Sequence, residues 1–138
     1  MNSVRIVLYN EAQPSQFFAL SETDDPGNLK LPGGKFMKTE DGHEESPDNA
    51  AARELMEELG VTPEQVGLTQ AGELLNDDGT SRRYIYTGRA HPDILQPSGE
   101  VHHTELLTGD SIPEGINHGH MLSAVLLSHT VWDKKNIP

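Results

Sequence analysis

The chain has 138 residues, the size of one domain and enough to bury a core. Its 22 acidic residues against 10 basic ones leave a formal net charge of −12, which excludes broad contact with nucleic acid or an anionic membrane, because polyanion binding needs a basic surface. The absence of cysteine excludes a disulfide scaffold and thiolate zinc sites.

In chain order, Val4, Ile6 and Leu8 alternate with Arg5, Val7 and Tyr9, and QFFALSE follows a polar turn, which predicts an opening antiparallel pair. The opening MNSVRIVLYN lacks the apolar run of a signal peptide, and no stretch reaches the length that spans a bilayer. The expectation is a single domain over 1–138 in the cytoplasm. DDPGN predicts a turn, Leu29 to Pro32 a short strand ending at Gly33-Gly34, and KFMKTEDGHEE an aperiodic loop. Ser46 as N-cap, Pro47 at the first position, Asp48 near the positive end and Gly60 as a left-handed stop predict a helix over Pro47 to Leu59.

Beyond that helix, VGLTQAGELLND and SRRYIYTGRA predict strands joined by a DDGT turn. A loop then runs from Pro92 to Pro97, and a final helix covers about His118 to His129. Strands mixed with two helices predict an α/β (α+β) sandwich.

The central helix carries RELMEELG, Arg53 to Gly60, with three glutamates and one arginine. At about 100° per residue, Glu54, Glu57 and Glu58 share one face, while Ala51, Leu55, Ala52, Leu59 and Met56 form the stripe expected to be buried. Ala50, small and among the carboxylates, is expected to leave room for a ligand. Repulsion between acids three and four residues apart costs a few tenths of a kcal/mol per pair. A solvated acidic face would intersperse more Lys or Arg, so bound cations are the better explanation, and hard divalent ions prefer oxygen ligands.

Taken together, LPGGK, then EES, then AARELMEELGV resembles the signature of the Nudix hydrolases: Gly, five residues, Glu, seven residues, then Arg-Glu-apolar-any-Glu-Glu-any-Gly-apolar. Every specified position from Glu45 to Val61 matches. The glycine slot holds Thr39, while Gly34 stands ten residues before Glu45, so a five-residue insertion is inferred and the glycine role passes to Gly34. The lengthened loop is expected to bring Phe36 or Met37 towards a substrate.

The resemblance implies an α/β/α sandwich with a mixed sheet, and hydrolysis of a diphosphate linkage in a nucleoside diphosphate derivative, with water attacking phosphorus. It implies Mg2+ or Mn2+ as cofactor, held by Glu54, Glu57 and Glu58 with Gly34 and Glu100, while Glu45 and Arg53 pair and orient the site. Lys35 is expected to meet substrate phosphate. The general base varies within the family; Glu54 and Glu100 are the candidates and Glu105 the reserve. The implied partner is a small nucleoside diphosphate derivative, with no nucleic acid and no membrane, and a homodimer left open. Asn76 and Asp77 occupy the position where family members favouring ADP-ribose often carry proline and those favouring diadenosine polyphosphates a tyrosine.

Two other classes compete. One is a catalytically silent Nudix-like domain that binds nucleotide as a sensor, since fold does not fix function; the other is an acidic scaffold holding calcium. His102-His103 and His118-x-His120 lack the spacing of a helical zinc pair. Arg82 and Arg83 are expected on a solvated strand face, and Tyr84, Tyr86 and Trp132 in packing rather than base stacking.

Overall fold

The structure, a computed structural model, describes residues 2–22, 25–98, 101–114 and 118–135, with side chains throughout these except at 22, 25–27, 101–103, 118 and 132–135. In chain order it has β1 (Ser3–Asn10), β2 (Gln13–Glu22), β3 (Asp25–Lys30), β4 (Gly33–Lys35), α1 (Pro47–Leu59), α2 (Pro63–Val66), β5 (Thr69–Leu75), β6 (Arg82–Ala90), a short 3-10 turn at Pro92–Ile94, β7 (Val101–Thr108) and α3 (His118–Lys135). Among the described residues no helix is long and apolar enough to cross a membrane.

Strand β1 is the axis of a mixed sheet. On one side β6 runs parallel to it, in register from Ser3 opposite Arg83 to Asn10 opposite Ala90. On the other side β4 pairs antiparallel with its first half and β2 with its end, at Tyr9 opposite Phe17. The sheet extends outward through β5 beyond β6, and through β3 and β7 on β2.

The alternation along β1 divides the core. Val4, Ile6 and Leu8 join Ala51, Leu55 and Leu59 of α1 beneath one face. Val7 and Tyr9 join Met121, Ala124 and Val125 of α3 on the other. Helices on both faces make the expected α/β/α sandwich. Each fully buried Leu of α1 contributes about 1.5–3 kcal/mol relative to exposure.

Helix α1 has the predicted bounds and caps. Ser46 accepts from the Asn49 N–H at 3.2 Å, and Gly60, at φ 66°, donates to the Met56 carbonyl. Its buried arc, however, is rotated towards the carboxylates. Ala50 and Glu54 are buried, whereas Met56 is 49% exposed and Ala52 only partly covered. Ala50 therefore packs in the core instead of leaving space for a ligand. The cause is the glycine pair of β4, which lets the strand approach so closely that Glu54 is drawn into the interface.

Other expectations change for identifiable reasons. Asp25 to Asn28 lie in β3, paired with β2, where a turn was expected. Leu29 to Pro32 is not one strand: β3 stops at Lys30, and Pro32, which has no N–H to donate, separates it from β4. Strand β7 escapes sequence patterning because VHHTELLT shows little apolar alternation; its pairing with β2 from Gln16 to Glu22 organises it. Helix α2 was not expected: Thr62 and Gln65 form a reciprocal capping box that starts it, and it takes up Val66, where the next strand was expected to begin. Phe36 is buried and stacks on Tyr84 at 5.5 Å, so it belongs to the core; Met37 is exposed. Tyr86 is also core, its hydroxyl donating to Asp48.

Candidate active site

Three carboxylates, those of Glu45, Glu54 and Glu57, gather around one guanidinium at the junction of α1 and β4. Arg53 Nη2 lies 2.5 Å from Glu45 Oε1, and Nε is 3.2 Å from both oxygens of that carboxylate. The same guanidinium reaches Glu54 at 3.0 Å, Glu57 at 3.3 Å and the Lys35 carbonyl at 3.2 Å. A planar fork with five donors suits this role, and a lysine would not replace it. The Glu45 hydrogen bonds, then the nearby Glu54 charge, hold Arg53 above its ordinary pKa. Arg53 in turn holds Glu45 below the usual carboxylate range.

The remaining motif acid, Glu58, faces the other glycine and accepts from the Gly33 N–H at 2.7 Å. Burial pushes its pKa up to about 7; the Glu54 charge adds to the rise, and the Gly33 N–H, Arg5 and Lys30 oppose it. Gly34 abuts Glu54 so closely that a Cβ there would lie 2.6 Å from Oε1. One guanidinium therefore serves three carboxylates, and burial drives the fourth, Glu58, towards the protonated form. That donor set fits a hard divalent cation. Among the described residues no three acidic or histidine side chains are already gathered around a common point: Glu54 and Glu57 turn to Arg53, and Glu58 to Gly33.

The inserted segment leaves this geometry intact. Met37 donates its N–H to Glu45 Oε1, and the Glu45 N–H donates to the Met37 carbonyl, each at 2.9 Å. Lys38 bridges Glu44, and the chain turns back at Gly42, φ 85°. The extra residues loop outward from a closed base.

At the far end of α1, Ser98 covers two carbonyls, with Oγ 2.7 Å from that of Glu57 and N 3.2 Å from that of Glu58; Gln96 N caps Leu59. Sequence reasoning did not single out Ser98. Glu100 lies outside the described residues, and Glu105 is exposed on β7. The side chains of His102, His103, His118 and Trp132 are likewise not described.

A cavity of about 400 Å³ lies across the first residues of β1, between β4, β6 and the start of α3. Lys35 lines it, as do Arg5, Lys30 and Arg83. Arg83 is thus turned to a cavity, whereas Arg82 keeps the exposed strand face and pairs with Glu73 at 3.6 Å. No local sequence signal marks Arg5 or Lys30; the sheet register brings them there.

A model of the NUDIX domain matches residues 1–124. The chain belongs to the NUDIX domain family, the Nudix hydrolases. No curated protein matches this Nudix chain. Solved structures similar to it include a C. elegans Ap4A hydrolase in a binary complex, with a TM-score of 0.69, 19% identity, and 96% of this chain and 99% of that one covered. The NUDIX domain of Shewanella oneidensis NrtR complexed with ADP ribose has a TM-score of 0.65 and 20% identity, covering 91% and 86%. A MutT protein from Methanosarcina mazei Go1 gives 0.65 and 20%, covering 99% and 96%. At these identities the likeness is one of fold.

Proposed function

We propose that this Nudix hydrolase cleaves a diphosphate linkage in a nucleoside diphosphate derivative by attack of water on phosphorus. The observation that carries the reading is the surplus of carboxylates around Arg53. Glu54, Glu57 and Glu58, with the Gly34 carbonyl and Glu100, would hold Mg2+ or Mn2+. When bound, the metal would neutralise the diphosphate and lower the pKa of a bound water.

The chain's own residues supply the rest. Arg53, clamped by Glu45, fixes Glu54 and Glu57 in rotamer and direction. Glu54 is buried beside Gly34. It is one candidate to take the proton of the attacking water; Glu100, two residues beyond the Ser98 anchor, is the other. Lys35, which lines the cavity, would meet substrate phosphate. The bond from water oxygen to phosphorus forms, the bridging phosphorus–oxygen bond breaks, and both products end in phosphate. That one structural neighbour is complexed with ADP ribose supports a nucleotide of this general class.

The test is magnesium-dependent hydrolysis of nucleoside triphosphates, nucleotide sugars, dinucleoside polyphosphates and ADP-ribose, with products resolved by chromatography and Glu57→Gln as control. Wild type is expected to cleave at least one class, and Glu57→Gln to lose roughly a hundredfold in kcat/KM while staying folded. Binding without cleavage by wild type would instead make the chain a nucleotide sensor.

A further inference from the structure

The cavity beside the carboxylates has a charge opposite to that of the molecule. The whole chain carries −12, yet the lining includes Arg5, Lys30, Lys35 and Arg83 against Asp77 and Asp78. Neither acid turns its charge fully inward. Asp78 is committed to its own turn, accepting from Ser81 N, Thr80 N and Ser81 Oγ, and Asp77 is 99% exposed.

The register sets how far this positive charge extends. Lys35, Ser3 and Arg83 stand opposite one another across β4, β1 and β6. Adjacent strands are about 4.8 Å apart, so the Arg83 backbone lies roughly 10 Å from that of Lys35. Lys35 belongs to the carboxylate centre, because its carbonyl is held by Arg53. Arg83 is two strands further on. Its Nη2 donates to His120 Nδ1 at 3.1 Å, a contact that orients the fork at the α3 end of the cavity. Partial burial disfavours the charge of Arg83, with the charge of Asp77 opposing that effect. A half-desolvated guanidinium of this kind gains most from an anionic partner.

We propose that the cavity selects substrates bearing a second anionic group, a phosphate monoester or a carboxylate, on the part of the molecule beyond the scissile diphosphate, with Arg83 as its principal contact. The proposal rests on the hydrolase reading above and names the substrate class for that same site.

The experiment compares matched pairs that differ in that one group: NADP against NAD for phosphate, and UDP-glucuronate against UDP-glucose for carboxylate. Binding is measured by calorimetry and hydrolysis by chromatography, for wild type, Arg83→Met and Arg83→Lys. The anionic member of at least one pair is expected to be favoured by roughly tenfold or more. Arg83→Met should abolish that preference while leaving the neutral member unchanged, and Arg83→Lys should restore part of it. Which pair responds tells phosphate from carboxylate. Equal treatment of both members in both pairs, or a preference that survives Arg83→Met, would overturn the proposal. Preferential binding without hydrolysis would uphold the cavity's selectivity and reject the hydrolase reading.

Discussion

Gly33 and Gly34 are adjacent, yet replacing each by alanine is expected to break different things. A Cβ on Gly33, at φ 140°, would lie 2.0 Å from the Val4 carbonyl oxygen, a backbone atom that cannot move without parting β4 from β1. Gly33→Ala should cost about 3 kcal/mol of stability. A Cβ on Gly34 would meet the far end of the Glu54 side chain and no backbone atom, so displacing it costs the Arg53 contact and Gly34→Ala should melt within about 1–2 kcal/mol of wild type. Turnover should nonetheless fall by roughly tenfold or more, because the displaced carboxylate no longer faces its partners. Thermal melts and hydrolysis of both variants check this; normal turnover in Gly34→Ala would show that the placement of Glu54 is not required.

Glu45 gives a pH prediction at the same scale. Hydrogen bonding from Arg53 keeps its folded pKa below the ordinary 4.5, so the pair's contribution to stability is complete above that value and is lost as the pH falls through the depressed one. The melting-temperature gap between wild type and Glu45→Gln should therefore be constant near neutrality and close on acidification. A gap that widens in acid would show that Glu45 is not stabilised as a carboxylate. The pairing of Glu45 with Arg53 was legible as a motif spacing, whereas the burial of Glu54 was not: it depends on a glycine twenty residues away that permits close approach.

At the scale of elements, the loop between Met37 and Glu45 can be tested by removal. Lys38 and Glu44 already face one another in an antiparallel bridge, where Cα atoms sit about 5 Å apart, close to the 3.8 Å or so of consecutive residues. Excising Thr39 to His43 removes five residues and restores the usual motif spacing. The expected result is a folded enzyme with turnover within a few-fold of wild type, read by circular dichroism and hydrolysis. A large loss of kcat/KM with the fold intact would place the loop in substrate binding. Helix α1 was readable because its signals are local: a cap, a proline, a left-handed glycine and apolar periodicity. Strand β7 was not, because its partner is β2, roughly eighty to ninety residues earlier, and its own sequence barely alternates.

For the whole molecule, the decisive feature is a sheet with β1 at its centre and helices on both faces. It sets the acidic helix beside β4 on one side and assembles a basic cavity at the head of the same sheet, so that opposite charges adjoin within a chain of −12. The sequence by itself determined what is encoded within a few turns or one short motif: α1 and its caps, the opening strands, the four glutamates with their arginine, and hence the family. Tertiary structure alone decided which of those carboxylates is buried, where the insertion goes, and that Arg83, Lys35 and Arg5 line one cavity. These depend on strand register and close backbone approach between residues distant in sequence, and such contacts have no local period from which to be read.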